Sequence, residues 1–447
     1  MKRKIYKDLV AWKKEKKHKP LMVLGARQVG KTHTIREFCA NEYDNFIEIN
    51  LFRRDDIVNL YKTTEPSESK FIKLKAILEA DLEDESTILF IDEIQESEEL
   101  ISELKFFNEA HPKMNIICAG SLLGVKLKRS SFSFPVGKVE MLDMYPMDFE
   151  EFLRAFNRDL LINLIYESFN KNQELDKSLH NMAMNFYRYY LCIGGMPEMV
   201  QNLIDNDGDV TKVNKNILKN ILKSYYNDMS KYITNKNESI KIERTYNSVA
   251  PQLASKSTKF KFKSIYSRAT KRDYDIALDW LLASNIILQT FNVKIPEIPL
   301  KGFMRLDYFK LFLSDVGILT NMLEIKFGTI LTDDFSMYKG GIVENFVATN
   351  LISFDQSLYY YSTTKEEGKA NEKKKEETIE VDFLLNTEDG IIPVEVKSGA
   401  RVRSLSLDKY VEKYKPAYAI RISAKNFGFN NNIKSIPLYA VFCLKDL

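Results

Sequence analysis

The chain has 447 residues, which is too long for a single hydrophobic core and indicates about three domains. Hydrophobic residues make up 45% and charged residues 28% of the sequence, an ordinary composition for a soluble globular protein. The formal net charge of +3 is too small to indicate a nucleic-acid-binding protein by itself.

The spacing of the cysteines and the hydropathy of the sequence exclude further classes of protein. The four cysteines (Cys39, Cys118, Cys192 and Cys443) are far apart and lie in apolar contexts without CxxC spacing. This pattern argues against zinc and disulfides and favours buried, reduced thiols. No stretch of about 18 uncharged apolar residues is present, and no apolar segment of a signal peptide follows the basic start. We therefore predict a cytoplasmic protein that does not act at a membrane.

The first predicted domain covers residues 1–150. Its basic start, "MKRKIYKDLVAWKKEKKHKP", is interpreted as an amphipathic helix with a solvated face, and contact with a polyanion is the alternative. Four apolar runs then alternate with polar segments that are compatible with helices. The runs are "LMVLG", "FIEIN", "TILFIDE" and "MNIICAGS". This alternation predicts an α/β fold with a parallel sheet and helices on both faces.

A phosphate-binding loop follows the first of these strands. "LMVLGARQVGKTHTI" contains the pattern G-x-x-x-x-G-K-[ST] between an apolar strand and a helical segment. Glycines let the backbone fold around phosphate, while N–H groups and the helix N-terminus attract it. Lys31 would reach the β- and γ-phosphates, and Thr32 would ligate Mg²⁺. The predicted ATP-binding residues of this segment are Gly25, Ala26, Arg27, Gln28, Val29, Gly30, Lys31, Thr32 and His33.

Two later strand ends complete the predicted nucleotide site. "TILFIDEIQ" ends in Asp92, which would hold Mg²⁺ through water, and Glu93, which would act as general base towards the attacking water. An acidic helix N-cap is the alternative interpretation of this pair. Ser121, at the end of "IICAGS", would lie beside the γ-phosphate, unless it serves only as a helix cap.

These motifs resemble the Walker A, Walker B and sensor-1 elements of AAA-type ATPases. Together with "FPVGKVEMLDMYPMDFEEFL" and "CIGGMPEMV", they look like a prokaryotic AAA ATPase family that carries a C-terminal domain of unknown function. The resemblance covers almost the whole chain, and it implies ATP binding, ATP hydrolysis and homo-oligomer formation. It supplies no arginine finger. The candidates for that role are Arg27, Arg53, Arg54, Arg129 and, where many relatives carry arginine, Lys138.

The second predicted domain, 151–330, is mostly helical. Its segment 264–295 has a helix, turn, helix and strand outline, which predicts a winged-helix-like module. Such modules bind DNA in some proteins and only connect domains in others, and both interpretations stay open.

The third predicted domain, 331–447, has an α+β pattern. Asp382 lies in the apolar run "IEVDFLLN", and Glu395 and Lys397 share one face of the next, "GIIPVEVKS". Neighbouring carboxylates are unfavourable without a cation between them, and Mg²⁺ prefers oxygen ligands. The order helix–Glu344, strand–Asp382, strand–Glu395-x-Lys397 resembles the PD-(D/E)XK nuclease core, although Val381 replaces the proline of that signature. The charged segment 364–378 is predicted to be a mobile hairpin tip.

The nuclease resemblance implies a restriction-endonuclease-like fold. Glu344, Asp382 and Glu395 would ligate a metal there, and Lys397 would stabilise the reacting phosphate. Two functions therefore follow from the sequence. The first is an ATPase linked to a metal-dependent nuclease that acts on DNA or another nucleic acid. The alternative is a nucleotide-dependent switch that binds DNA or a protein partner without cleaving, and a salt-bridged core triad would suit that role.

Overall fold

The computed structural model describes residues 1–15, 17–129, 137–231, 233, 235–255, 259–332, 339–354, 356–363, 379–399 and 405–447. The chain divides into two compact units. The first comprises Met1–Pro146, Lys223–Thr234 and Asp279–Asn285, and the second comprises Met147–Leu222, Asn235–Leu278 and Ile286–Leu447. The three-part division at 1–150, 151–330 and 331–447 stays a prediction.

Among the described residues, the α-helices are α1 (Ile5–Lys14), α2 (Lys31–Glu42), α3 (Asp55–Tyr61), α4 (Ser67–Leu78), α5 (Glu98–Ala110), α6 (Leu123–Arg129), α7 (Phe149–Ala155), α8 (Asp159–Lys171), α9 (Lys177–Ile193), α10 (Pro197–Asp205), α11 (Asn216–Asp228), α12 (Lys236–Ala254), α13 (Lys271–Ala283), α14 (Val316–Met322), α15 (Phe327–Leu331), α16 (Lys339–Ile352) and α17 (Leu405–Tyr414). The strands of the same residues are β1 (Leu21–Leu24), β2 (Asn45–Asn50), β3 (Thr87–Asp92), β4 (Asn115–Ala119), β5 (Glu140–Asp143), β6 (Ile287–Val293), β7 (Met304–Leu313), β8 (Tyr359–Ser362), β9 (Glu380–Thr387), β10 (Gly390–Val396), β11 (Ala419–Ser423), β12 (Gly428–Asn430) and β13 (Ile433–Pro437).

Within the described part of the first unit, five parallel strands form a sheet in the order β2-β3-β4-β1-β5. Strand β3 is buried at every position, because a central parallel strand packs on both of its faces. The predicted parallel α/β sheet is confirmed, and β5 is an additional strand. Since β4 lies between β1 and β3, the carboxyl ends of all three meet at one edge. That edge carries the phosphate-binding loop, Asp92 and Ser121.

The described residues of the second unit contain a mixed sheet of eight strands in the order β12-β13-β11-β10-β9-β8-β6-β7. The predicted C-terminal helix and strands appear as α16, β8, β9, β10, α17 and β11. Strands β9 and β10 form an antiparallel pair, with Phe383 opposite Val394. The predicted hairpin tip at 364–378 lies outside the described residues.

The winged-helix interpretation of segment 264–295 is not supported. The described residues there contain one α-helix, α13, after a short 3-10 turn at Phe262–Ser264. The strand that follows, β6, pairs with β7 and, in parallel, with β8. Because β6 and β7 extend the C-terminal sheet, they do not form the hairpin of a separate small module.

Further details agree with the sequence. All four cysteines are buried and unpaired. The N-terminal segment forms the amphipathic helix α1, which buries Ile5, Leu9 and Trp12. In the described ranges no helix has the length and apolarity that a membrane span requires.

Candidate functional sites

The loop between β1 and α2 has the backbone conformation that phosphate binding needs. Gly25 and Gly30 have φ angles of 144° and 99°. A Cβ atom at Gly25 would lie 2.2 Å from the carbonyl oxygen of Met144, so that position requires glycine. Helix α2 begins at Lys31, directly after the loop. Its N-terminal N–H groups and its dipole therefore favour an anion at this place.

Lys31 is the buried cation of the loop. Its ammonium donates hydrogen bonds to the carbonyl oxygens of Gly25 and Ala26, at 2.7 and 2.8 Å. Burial lowers the pKa of Lys31 to about 8, while the nearby carboxylates of Glu93 and Asp92 oppose that shift. An anion bound in the loop would favour the charged form of this side chain.

Thr32 and Asp92 lie together at the carboxyl end of β3. The Thr32 hydroxyl donates to the Asp92 carboxylate, with Oγ1–Oδ distances of 3.3 and 3.4 Å. Asn50 donates to the same carboxylate from 3.3 Å. Burial and the adjacent Glu93 raise the pKa of Asp92. Hydroxyl and carboxylate oxygens are donors that Mg²⁺ prefers, so the residues present fit that ion.

The remaining predicted nucleotide residues differ in where their side chains lie. Ala26 and Val29 are buried in the core, whereas Gln28 and His33 are exposed. ATP contacts by these four residues stay a prediction. Ser121 is buried and lies 3.4 Å from a guanidinium nitrogen of Arg27.

A second group of charged side chains surrounds a cavity of about 300 Å³ in the second unit. Strands β7, β9 and β10 and helix α16 each contribute to it. The ionisable residues that line it are Lys310, Glu344, Glu380, Asp382, Glu395 and Lys397. The structure therefore brings together all four residues predicted from the C-terminal pattern, and it adds Lys310 and Glu380.

Lys310 is the buried cation of this cavity. Its ammonium lies 3.3 Å from Glu344 Oε2 and 3.2 Å from Glu380 Oε1. Burial alone would lower the pKa of Lys310, but the carboxylates of Glu344, Glu380 and Asp382 outweigh that effect and raise it. Glu344, which was predicted as a metal ligand, is thus paired with a lysine in this structure.

Asp382 and Glu395 lie on the neighbouring strands β9 and β10 and also line the cavity. One Asp382 oxygen accepts the backbone N–H of Val396 at 2.7 Å. Burial, Glu344 and Glu395 raise the pKa of Asp382 well above its usual range. Glu395 is paired with Lys397 through Oε1, while its buried Oε2 has no hydrogen-bond partner among the residues that the structure describes. A buried carboxylate oxygen without a partner is unfavourable unless a cation reaches it.

The described residues include no group of three or more His, Cys, Asp or Glu side chains placed to hold a metal ion. The pairing of Glu344 with Lys310 is one physical reason, since an ammonium competes with a metal for the same oxygen. Mg²⁺ nevertheless binds proteins through one or two carboxylates and completes its shell with water and substrate phosphate. Asp382 and Glu395 fit that smaller requirement.

Comparison with protein families agrees with the interpretation of residues 25–33, Asp92 and Ser121 as a nucleotide site. Residues 17–153 match the family model described as an AAA domain. This segment is therefore similar to an AAA domain. Residues 184–328 and 339–441 match two models described as domains of unknown function, DUF8612 and DUF4143. The segment that matches the AAA model contains the phosphate-binding loop, Asp92, Glu93 and Ser121.

Solved structures give weaker similarities. A Walker-type ATPase of Pyrococcus abyssi is 17% identical, with 71% of this chain and 94% of that chain covered and a TM-score of 0.40. The ORC2 protein of Aeropyrum pernix is 12% identical, with coverages of 74% and 92% and a TM-score of 0.32. These scores are too low to support an argument. No curated protein matches the sequence.

Three charged residues at the two sites were missed at the sequence level. Lys310 lies in "FKLFL" and Glu380 in "IEVDFLL", and each is a charge within an apolar strand, which is the signal that revealed Glu395. Asp228 forms an ion pair with Arg27 at 2.8 Å, and no local pattern connects the two.

Proposed function

We propose that the AAA domain binds and hydrolyses ATP. The observation that carries the proposal is the convergence of Lys31, Thr32 and Asp92 on the phosphate-binding loop, with Thr32 and Asp92 oxygens within 3.4 Å. Lys31 would bind the β- and γ-phosphates, and Thr32 and Asp92 would hold Mg²⁺. Bound Mg²⁺ would neutralise charge on the phosphates.

Glu93 would complete the reaction as the general base. It follows Asp92 at the end of β3, and its carboxylate accepts a hydrogen bond from the Gln95 side chain. This contact orients the carboxylate at the edge of the sheet where the phosphate-binding loop lies. Glu93 would accept a proton from the water that attacks the γ-phosphorus.

Two substitutions test the ATPase proposal. Lys31→Ala is expected to abolish binding of a fluorescent ATP analogue, because the loop loses its buried cation. Glu93→Gln is expected to keep that binding while lowering kcat for phosphate release by about 100-fold or more, the range of a general base. Arg36→Ala, at an exposed ion pair on the same helix as Lys31, is the matched control. Unchanged binding in Lys31→Ala would refute the site assignment.

We further propose that the charged cavity of the second unit is a divalent-metal site of a nuclease-like domain that acts on nucleic acid. Supporting observations are the excess of carboxylates over lysines around the cavity, the orphan Oε2 of Glu395 and the adjacent Asp382. Asp382 and Glu395 would hold Mg²⁺, which would polarise a phosphodiester. Lys397, beside Glu395, would stabilise negative charge on the reacting phosphate.

Cleavage and cation binding can be measured separately. Plasmid DNA, single-stranded DNA and RNA would be incubated with Mg²⁺ or Mn²⁺, with and without ATP, using wild type and Asp382→Ala. Calorimetry would measure Mn²⁺ binding to the same two proteins. Cleavage lost in Asp382→Ala supports a nuclease. Intact nucleic acid with ATP-dependent DNA affinity supports the switch alternative, and equal Mn²⁺ binding by both proteins would exclude Asp382 as a ligand.

A further inference from the structure

Arg27 lies inside the phosphate-binding loop, and contacts from distant parts of the first unit hold its side chain. Its Nε lies 2.8 Å from Asp228 Oδ2, and its Nη2 lies 3.4 Å from the hydroxyl oxygen of Ser121. The backbone carbonyl oxygen of Arg27 accepts a hydrogen bond from the Tyr225 hydroxyl at 3.4 Å. Tyr225 and Asp228 are three residues apart on α11, so one helix face contacts both the backbone and the guanidinium.

Asp228 is well placed to fix the guanidinium. Its side chain is only 5% exposed, and its second oxygen lies 3.6 Å from Lys231. Burial raises the pKa of Asp228, while Arg27 and Lys231 favour its charged form. A buried carboxylate is strongly unfavourable without its cation, so the Arg27–Asp228 pair resists separation.

The other cations named for an arginine-finger role have different surroundings. Arg53 is exposed, Arg54 pairs with the exposed Asp56 at 2.7 Å, and Lys138 pairs with Glu109 at 3.0 Å. The side chain of Arg129 lies outside the described residues. Of the candidates whose side chains are described, Arg27 is the one that contacts Ser121, the residue predicted to lie beside the γ-phosphate.

We propose that Arg27 is a catalytic arginine supplied by the chain's own phosphate-binding loop, and that Asp228 is its positioning residue. This inference rests on the proposed ATPase function. In hydrolysis the water oxygen bonds to the γ-phosphorus while the bond to the β–γ bridging oxygen breaks. The water proton passes to Glu93, and ADP and phosphate are released. Negative charge on the transferring phosphoryl group would be stabilised by the planar guanidinium of Arg27.

A catalytic arginine in the same chain has a consequence for assembly. The site would then contain its stabilising cation without a residue from a neighbouring copy. The rate per chain would be independent of protein concentration. An arginine supplied by a second copy would instead make the rate rise with concentration.

Kinetics of single variants give the first test. Arg27→Ala is expected to lower kcat at least 100-fold, with ATP affinity changed only several-fold, because the guanidinium acts mainly on the transition state. Asp228→Asn is expected to lower kcat about tenfold, and Asp228→Glu to restore part of that loss by returning the charge. Arg36→Ala, at an exposed ion pair on α2, is the control that leaves kcat unchanged.

A double variant separates positioning from a general structural role. If Asp228 acts through Arg27, then Arg27→Ala/Asp228→Asn hydrolyses ATP no more slowly than Arg27→Ala alone. Multiplied losses would overturn the assignment of Asp228. ADP affinity and circular dichroism establish that each variant is folded.

A mixing experiment decides which chain supplies the arginine. Arg27→Ala retains Lys31, and Lys31→Ala retains Arg27, so a mixture restores activity only if one chain completes the other's site. We expect no restoration, and recovered hydrolysis would overturn the inference.

Loss of ATP affinity without loss of kcat in Arg27→Ala would overturn it as well. If Lys31→Ala hydrolysed ATP normally, the proposed function itself would fail. A failure confined to the Arg27 variants concerns this inference alone.

Discussion

Replacement of Lys310 by methionine tests how the charged cavity is stabilised. Lys310 is 5% exposed and its ammonium contacts Glu344 and Glu380, at 3.3 and 3.2 Å. With every group ionised, four carboxylates face two ammonium groups, so the wild-type cavity carries a formal charge of −2. Lys310→Met changes that charge to −3 while it keeps a similar side-chain volume.

The expected loss follows from burial. Removal of one partner of a buried ion pair destabilises a protein by about 3–5 kcal/mol. The side chains of Glu344 and Glu380 are 22% and 29% exposed, so water screens part of their charge. We therefore expect Lys310→Met to lower the free energy of unfolding of the second unit by about 3 kcal/mol, the lower end of that range.

Urea denaturation followed by far-ultraviolet circular dichroism measures this loss. Both tryptophans, Trp12 and Trp280, belong to the first unit, so their fluorescence follows that unit separately. Lys271→Met is the matched control, because Lys271 pairs with Asp307 at 2.8 Å while both side chains are exposed. The control is expected to lose about 0–1 kcal/mol. Equal losses in the two variants would refute the assignment of Lys310 as the buried cation of the cavity.

Two further predictions concern Lys31 of the phosphate-binding loop and Gly195 of the second unit. Because burial lowers the pKa of Lys31 to about 8 and phosphate favours the ammonium, ATP affinity should be constant below about pH 8 and fall by up to about tenfold per pH unit above it. Calorimetry across pH 7–9.5 measures this, Lys31→Arg should remove the dependence, and a flat profile in wild type would contradict it. Gly195→Ala should lower the stability of the second unit by about 1–3 kcal/mol, since the new Cβ would lie 1.9 Å from the carbonyl oxygen of Met147. Gly428→Ala is its control in urea denaturation, because a Cβ atom added there would have no described atom within 4 Å apart from its chain neighbours. Equal stability of the two variants would show that the contact at Gly195 relaxes freely.

The first sheet could be predicted from sequence because its signals are local. Strands such as β3 are short apolar runs, and the phosphate-binding loop is a motif of eight residues. Asp92 and Ser121 could be placed near the loop because each follows a buried parallel strand, and such strand ends meet at one edge. Strand β5 was missed because "EMLD" alternates exposed and half-buried positions and lacks a continuous apolar run.

Contacts between distant segments could not be predicted in the same way. Asp228 belongs to a helix about 200 residues beyond Arg27, and nothing in "SYYND" indicates a phosphate-site partner. Lys310 comes from β7, a strand that the sequence pattern assigned to a different domain from Asp382. The sequence pattern singled out Asp382 but not Lys310, and only the sheet order reveals which carboxylates Lys310 contacts.

The pairing of β6 with β8 limits where the chain can be divided. A fragment that starts at residue 331 would contain β8 to β13 and would expose the backbone of β8 that Phe291, Asn292 and Val293 cover in the whole protein. An uncovered edge strand of this kind, with Tyr359, Tyr360 and Tyr361 along it, tends to pair with other chains and aggregate. The same cut would also remove Lys310. We therefore expect a fragment that separates the C-terminal strands from the preceding hairpin to aggregate, whereas one that keeps β6 and β7 retains the cover of β8.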